Sequence, residues 1–466
     1  MIAAQFDLKR EYQNVRNKYV LTFLLFVFAI ISTNGGSFNI KVSYCITFYF
    51  FLSLMYSLGK KIPLKEITLF VSSLQLLLAP TLDYEYLGKY TSFHMQIEES
   101  NYFAYILPAF IAFWIGMVIP MGKRKYTEKQ LIEYLKANPS SNKHLGVIFI
   151  LLGIIFTFVS VYIETQSLAF IFTLMSLLKY VGILYLWFSD SKYKKFFFWL
   201  VFLLVFYQTL NEAIFINFIV ISFLFFCYYC LLRHVNVAKA IIITVLAAAL
   251  LFFLQGVKKD YRKAVWFNQI DQNKFLFLVN LISDKATTLT DKQFLTTAAE
   301  VNQRLNQGWV ISRIMITIPQ KRPYLGGDIF YDEVLGIIFP RLFFTDKAVV
   351  QSSEKFEKFA GYKLKKYTIA VGIPGDGYGN FGPVYGVIFC FCVALFFNFA
   401  LSLFYRGCDR YPILILWSPV IFFYLMRAGD DFYIIANWIV KSSIFVVVFF
   451  FLNRKNNKKI EPNSIS

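Results

Sequence analysis

Long unbroken apolar runs, divided by short charged connections, constrain this chain more than any other feature. A bilayer core about 30 Å thick is crossed by about 20 apolar residues in a helix. Only helices or closed barrels satisfy every backbone polar group in hydrocarbon. The runs are continuous rather than alternating, so they read as helices and not as barrel strands. Candidate spans fall at 19–33, 39–58, 62–82, 101–121, 145–163, 168–188, 196–210, 213–232, 240–255, 381–404, 411–426 and 432–452. The predicted fold is therefore an all-α polytopic membrane protein with about twelve transmembrane helices. The pair 196–210 and 213–232 shares one apolar block, broken at Asn211 and Glu212, and reads as two short helices. Composition agrees. AVILMFWYC residues make up 58% and charged residues 16%, against about 45–50% and about 25% in soluble domains. A water-soluble enzyme and a disordered chain are both excluded.

The formal net charge of +19 would point to nucleic acid in a soluble protein. Here the placement of charge decides otherwise. Lys and Arg crowd the N-terminal segment, Lys60-Lys61, the 122–144 connection, 192–195, Arg233 with Lys239, Arg406 with Arg410, and 454–459. The alternate short connections hold only Lys89 and Arg427. The positive-inside rule puts the rich side, and both termini with it, in the cytoplasm. The charged stretch Asp7–Lys18 is followed by an apolar run with no small-x-small cleavage site, which reads as a signal anchor.

This topology leaves one large segment outside, and three parts follow: a transmembrane bundle over 1–255, an external subdomain over 256–376, and helices with a tail over 377–466. Long loops escape the charge rule, so the eighteen Lys/Arg against eleven Asp/Glu between 256 and 372 do not disturb the topology. Thr290-Asp-Lys-Gln293 has the form of a capping box. It opens a helix through Leu295, Val301 and Leu305 toward Arg313, ended near Pro319. A second helix is predicted over 328–338, stopped by Pro340. The six cysteines all lie in spans or on the basic side, so no structural disulfide is expected.

Motifs of soluble enzymes are absent. His94 is the one histidine near the external segment; His144 and His234 border the basic side. The external segment carries Arg304, Arg313, Arg341 and Lys347, and Arg427 stands on the last short connection. The guanidinium fork matches two phosphate oxygens, so the set points to an anionic ligand at the membrane surface. Among the acids, Glu212 lies in a break between apolar helices, where a carboxylate is costly and by default a functional candidate. Asp376, Glu164, Asp430 and Asp431 are the others. Asp430-Asp431 reads as a cap for the last helix rather than as a metal site. No convincing metal-ligand set appears, and no cofactor is expected.

Gly375-Asp-Gly-Tyr-Gly-Asn-Phe-Gly382, followed by Gly386 and an apolar run, resembles an element of Wzy-type O-antigen and capsule repeat-unit polymerases. Ile338-Phe-Pro-Arg-Leu-Phe-Phe-Thr-Asp-Lys347 resembles that family's Pro-Arg-x-aromatic…Lys stretch, and Arg427-Ala-Gly-Asp430 its short Arg-x-Gly-Asp element. Two positions depart from the pattern: Asp376 stands where Glu is usual, and Ala348 where Pro is usual. The resemblance implies a GT-C-like membrane glycosyltransferase in the bacterial inner membrane, its site facing the periplasm. The growing glycan would pass from undecaprenyl diphosphate to a sugar hydroxyl of a lipid-linked repeat unit, with inversion and without metal. Asp376 would be the general base and Glu212 its substitute. Arg304, Arg313, Arg341, Arg427 and Lys347 would hold the diphosphate, and Tyr378 and Asn380 the sugar or the loop shape. The implied partners are undecaprenyl diphosphate-linked oligosaccharides, membrane lipids and a chain-length regulator protein, with no nucleic acid. An O-antigen ligase, or a transporter or flippase of lipid-linked oligosaccharides, is the alternative reading.

Overall fold

A computed structural model describes residues 2–33, 35–139, 143–163, 166–212, 215–233, 235, 237–267, 273–287, 290–338, 352–362 and 369–452. Among these residues every regular element is helical. The chain opens with α1 (Ile2–Ser32), α2 (Phe38–Ser57) and α3 (Leu64–Ser73), which runs through a π-helical stretch at Leu74–Leu78 into α4 (Ala79–Leu82). After a second π-helical turn at Asp83–Leu87 come α5 (Glu99–Val118), α6 (Glu128–Ala137), α7 (Lys143–Val159), α8 (Gln166–Ser176) and α9 (Leu178–Trp187). Then follow α10 (Lys194–Glu212), α11 (Ile216–Arg233), α12 (Val237–Trp266), α13 (Lys274–Thr287), α14 (Asp291–Leu305), α15 (Gly308–Thr317), α16 (Asp328–Ile338) and α17 (Ser352–Ala360). The last helices are α18 (Gly372–Arg410), α19 (Ser418–Ile421) and α20 (Phe432–Leu452).

Eight stretches among the described residues are long and apolar enough to cross a membrane: Phe38–Ser57, Leu64–Tyr90, Glu99–Val118, Leu168–Trp187, Ile216–Arg233, Ala238–Lys258, Gly372–Arg410 and Phe432–Leu452. They present large apolar side chains outward, among them Leu246, Leu250, Val447 and Phe451. Such a surface is compatible with a polytopic membrane protein, since lipid tails accept what water would not. Asn17–Ser32 and His144–Val159 are apolar but shorter. The block around Asn211-Glu212 is two helices, α10 and α11, as the sequence reading has it.

One expected span takes a different form. Residues 411–426 do not make a long helix: Pro412–Trp417 and Leu425–Arg427 are 3-10 turns on either side of the four-residue α19. Pro412 and Pro419 each remove a backbone donor. The interrupted backbone is buried, and neighbouring side chains satisfy its carbonyls. Tyr228 Oη donates to the Ile415 carbonyl at 2.6 Å, Trp438 Nε1 to Val420 at 2.7 Å and Thr68 Oγ1 to Leu425 at 3.2 Å. Irregular backbone at membrane depth is tolerated only under such cover. Helices run across both expected boundaries, α12 across 255 and α18 across 376.

Small residues set the tight helix contacts. A Cβ added at Gly116 of α5 would lie 2.7 Å from Ala394 Cβ of α18. Asn398 bridges the same pair, its Nδ2 donating to the Gly116 and Ile119 carbonyls at 2.8 Å each. Between α7 and α9, a Cβ at Gly182 would fall 2.5 Å from the Gly146 carbonyl oxygen, and one at Gly153 would fall 2.4 Å from the Lys179 backbone nitrogen. Helices in lipid associate through this kind of backbone approach. Gly153→Leu must therefore part α7 from α9. Its expected cost is about 1–3 kcal/mol or more, read as a lowered unfolding midpoint in detergent, and an unchanged midpoint would show that the contact carries no stability.

Candidate active site

The Gly375–Gly382 element forms a helical arm of its own. Gly382, at φ +80° and ψ −176°, breaks α18, and Pro383 follows it. The arm, 372–381, folds back on the long part of the helix. Gly377 lies against Gly386, where an added Cβ would meet the Gly386 carbonyl oxygen at 2.9 Å. Pro374 is tolerated because the first turn of a helix has no intrahelical use for its N–H. Three elements clasp the arm. Tyr105 Oη of α5 donates to the Pro374 carbonyl at 2.7 Å, and the Leu325 and Gly326 N–H groups donate to Gly379 at 3.2 Å and Asn380 at 2.9 Å. Phe359 of α17 lies over Gly379 so closely that no side chain fits there.

Around the arm four charged side chains meet out of solvent: Lys355 from α17, Glu333 from α16, Asp376 from the arm, and Asp431 just before α20. None is more than 3% exposed. Lys355 Nζ pairs with Glu333 Oε1, lies 2.7 Å from Asp376 Oδ1 and stands 4.0 Å from Asp431 Oδ2. Each aspartate also caps a helix belonging to the other. Asp431 Oδ1 accepts from the Val371 and Gly372 N–H groups at 2.7 and 3.0 Å, at the start of the arm. Asp376 Oδ2 accepts the Phe432 N–H at 3.2 Å, at the start of α20. Two helix N-termini thus add roughly half a positive charge each beside the ammonium. Burial alone would lower the Lys355 pKa, but Asp376, Asp431 and Glu333 outweigh it and hold the ammonium well above its ordinary range. Burial pushes the Glu333 carboxyl up, with Lys355 acting against it. The three carboxylates converge on an ammonium, and among the described residues no group of three or more His, Cys, Asp or Glu is placed to hold a metal ion.

Beside this cluster lies a more open cationic rim. Arg427 meets Asp430 through two contacts, Nε to Oδ2 at 3.1 Å and Nη2 to Oδ1 at 3.3 Å, and its guanidinium lies 4.8 Å from the Tyr424 ring centre. Burial raises the Asp430 carboxyl to about 6, against the pull of Arg427. Arg313 projects from α15 over Tyr362, 4.8 Å from the ring centre, and its buried Nε has no hydrogen-bond partner among the described residues. The helix predicted to run unbroken from Thr290 toward Arg313 is divided at Asn306-Gln307 into α14 and α15. Asn306 Oδ1 accepts the Trp309 N–H at 3.2 Å, and Pro80 and Tyr102 crowd Gly308.

Comparison of the chain with family models, with curated proteins and with solved structures returns no match. The site is therefore read from its own geometry. Asp376, Tyr378 and Asn380 come together on the arm. Asp376 has both oxygens engaged and 1% exposure, so it does not face a ligand in this state. Tyr378 stands edge-on between Tyr105 and Tyr324, with ring centres at 5.0 and 5.9 Å, and Asn380 Nδ2 donates to the Asp376 carbonyl at 2.9 Å; both shape the arm. Glu212 is exposed at the end of α10, and its charged neighbour is Lys179 rather than any member of the cluster. Arg304 is exposed on α14, in electrostatic range of Lys258. His94 is exposed in the connection before α5. Arg341, Lys347 and Glu164 lie outside the described residues.

Sequence reasoning missed Lys355 and Glu333, and it assigned Asp431 to the wrong helix terminus. The local sign for Lys355 is its place beside Phe356 and four residues before Phe359, on the face of a short helix that ought to be apolar. Breaking a buried pair leaves an uncompensated charge, at about 3–5 kcal/mol. Lys355→Met is expected to lose that much in chemical unfolding in micelles. Adding Glu333→Gln and Asp376→Asn should recover part of it; a single variant as stable as its parent would mean that the acids do not depend on Lys355.

Proposed function

We propose that this chain is a Wzy-type polysaccharide polymerase, transferring a growing glycan from undecaprenyl diphosphate to a sugar hydroxyl of a lipid-linked repeat unit. The observation that carries the proposal is the arm. The element resembling the polymerase motif is the one that gathers Asp376, Lys355, Glu333 and Asp431, and the second such element, Arg427–Asp430, directly precedes Asp431. On this reading the protein lies in the bacterial inner membrane, with a GT-C-like bundle and both termini in the cytoplasm. Counting twelve crossings adds 17–32, 144–159, 194–212 and 412–427 to the eight long apolar stretches. A chain-length regulator would be its protein partner.

The chemistry follows from charge. The acceptor hydroxyl attacks the anomeric carbon, the bond from that carbon to the diphosphate oxygen breaks, and the configuration inverts. Negative charge grows on the leaving diphosphate, and preorganised cations stabilise it as it forms. Arg313 and Arg427 fit this role, being half-buried guanidinium groups free of any burial-locked cluster. The buried cluster keeps the arm and α20 fixed beneath them. For the proton of the hydroxyl the geometry favours Asp430 over Asp376. Burial raises the Asp430 carboxyl to about 6, closer to the range where a general base works, whereas Asp376 is locked to Lys355 and the Phe432 N–H. Diphosphate that takes up Arg427 releases Asp430 from its counter-ion and makes it more basic.

Purified protein supplied with a lipid-linked repeat unit should yield a ladder of longer products, unaffected by chelator. Movement of the lipid across a bilayer without new glycosidic bonds would overturn the assignment. Deleting the gene should leave glycans of a single capped unit, whereas deletion of a ligase leaves none. Arg427→Ala and Arg313→Ala should each reduce chain growth at least 100-fold at normal expression, roughly the worth of one transition-state donor. A base must be deprotonated to act, so kcat/KM, which reports the free protein, should fall as pH drops through about 6, and kcat should fall at a higher pH. Asp430→Asn should be nearly inactive and lack that acidic limb, and an active Asn variant with the limb intact would return the role to another carboxylate.

A further inference from the structure

Arg427 belongs to a turn whose backbone the sequence alone does not favour. Ala428 stands at φ +57°, in the left-handed region where a residue with a Cβ is disfavoured. Among the described residues it is the one non-glycine with positive φ. The Gly429 N–H donates back to the Arg427 carbonyl at 2.7 Å and tightens the turn. Such a conformation persists only where its surroundings over-determine it.

Two glutamines supply that constraint from opposite sides. Gln75 Nε2 donates to the Arg427 carbonyl at 3.2 Å, and Gln307 Nε2 donates to the Gly429 carbonyl at 2.6 Å. The two are tied to each other, since the Gln307 N–H donates to the Gln75 backbone carbonyl at 3.2 Å. Gly429 is what lets them close in: a Cβ there would fall 2.9 Å from Gln75 Nε2 and 3.1 Å from Gln307 Nε2. Gln75 sits in the π-helical stretch Leu74–Leu78, an irregularity that marks functional segments more often than chance. Gln307 immediately precedes α15, the helix that carries Arg313.

We infer that Gln75 and Gln307 are positioning residues. They clamp the Arg427–Gly429 turn in its left-handed form so that the Arg427 guanidinium and the Asp430 carboxylate stand ready beside each other for a diphosphate. They bear on substrate only through Arg427, and this inference rests on the reading of Arg427 as a diphosphate ligand. Because Gln307 also begins α15, the clamp ties the two arginine-bearing elements, one on each side, into a single unit. Loss of either amide frees the turn to relax to negative φ, and Arg427 turns away.

The test uses the full chain in lipid nanodiscs with two readouts. Hydrogen exchange of the 425–432 peptide reads the clamp without any ligand. Binding of undecaprenyl diphosphate, followed by quenching of intrinsic tryptophan fluorescence, reads its purpose. Gln307→Ala and Gln75→Ala should speed exchange in that peptide and weaken binding about tenfold, the size of one relieved backbone strain. Ala428→Gly placed on the Gln307→Ala background should restore most of the binding, because glycine adopts positive φ freely. A general loss of stability would be worsened by that glycine instead of rescued. Unchanged exchange in both glutamine variants would overturn the clamp. Faster exchange with unchanged binding, while Arg427→Ala loses binding, would overturn its positioning role and leave the diphosphate reading standing. If Arg427→Ala binds like the parent, the diphosphate reading itself fails, and the positioning role fails with it.

Discussion

The buried ammonium of Lys355 is the contact on which the rest of the site depends. It holds Glu333 and Asp376 directly and Asp431 at 4.0 Å, all away from solvent. Three carboxylates cannot share a low-dielectric pocket without a cation, because each loses its hydration and repels the others. The helix N-termini at 372 and 432 complete the neutralisation, each capped by an aspartate adjoining the other. Four elements distant in the chain (α16, α17, the arm and the start of α20) are thereby fixed to one another. A purely apolar junction would pack as well, but it would not fix register in this way. Here each charge has one place in which it is satisfied.

That junction explains why the arm is so rich in glycine. Its helix is held at both ends by hydrogen bonds, from Asp431 at the start and from Leu325 and Gly326 at the finish. Its sides are pressed by Phe359 and Gly386, which leave no room for side chains at 377 and 379, and Ile314 and Val371 crowd position 375 at 3.3 Å. Glycine weakens a helix by roughly 1 kcal/mol per residue, and tertiary contacts offset the loss. The one charged side chain the arm carries, Asp376, points into the cluster. Arg427 and Arg313 lie outside the cluster and remain half-buried.

Much of this was legible in advance, and the reasons differ by residue. The short helix expected over 328–338 has the bounds read from its pattern, since an acid at its start and a proline after its end are local signals. The break at Asn211-Glu212 was local as well. The helix toward Arg313 was not, because its division at Gln307 comes from the crowding of Gly308 by Pro80 and Tyr102, residues far away in sequence. The stretch 411–426 misled for a related reason. An apolar run is equally apolar as a lipid-facing helix or as a buried irregular segment. Only the partners Tyr228, Trp438 and Thr68 decide which. Glu212 is a candidate because it breaks an apolar block and Arg304 because its guanidinium suits a phosphate, and neither adjoins the cluster in space.

By itself the sequence determined the class of molecule: its apolar runs leave little alternative to a bundle of long helices, because unsatisfied backbone in lipid costs several kcal/mol per group. It also marked Gly375–Gly382 and Arg427–Asp430 as unusual. Tertiary structure alone decided which charges meet. Coulomb energy depends on separation and burial, and neither is written in a chain where Lys355 stands 21 residues from Asp376 and Arg427 is reached by Gln75 across 352.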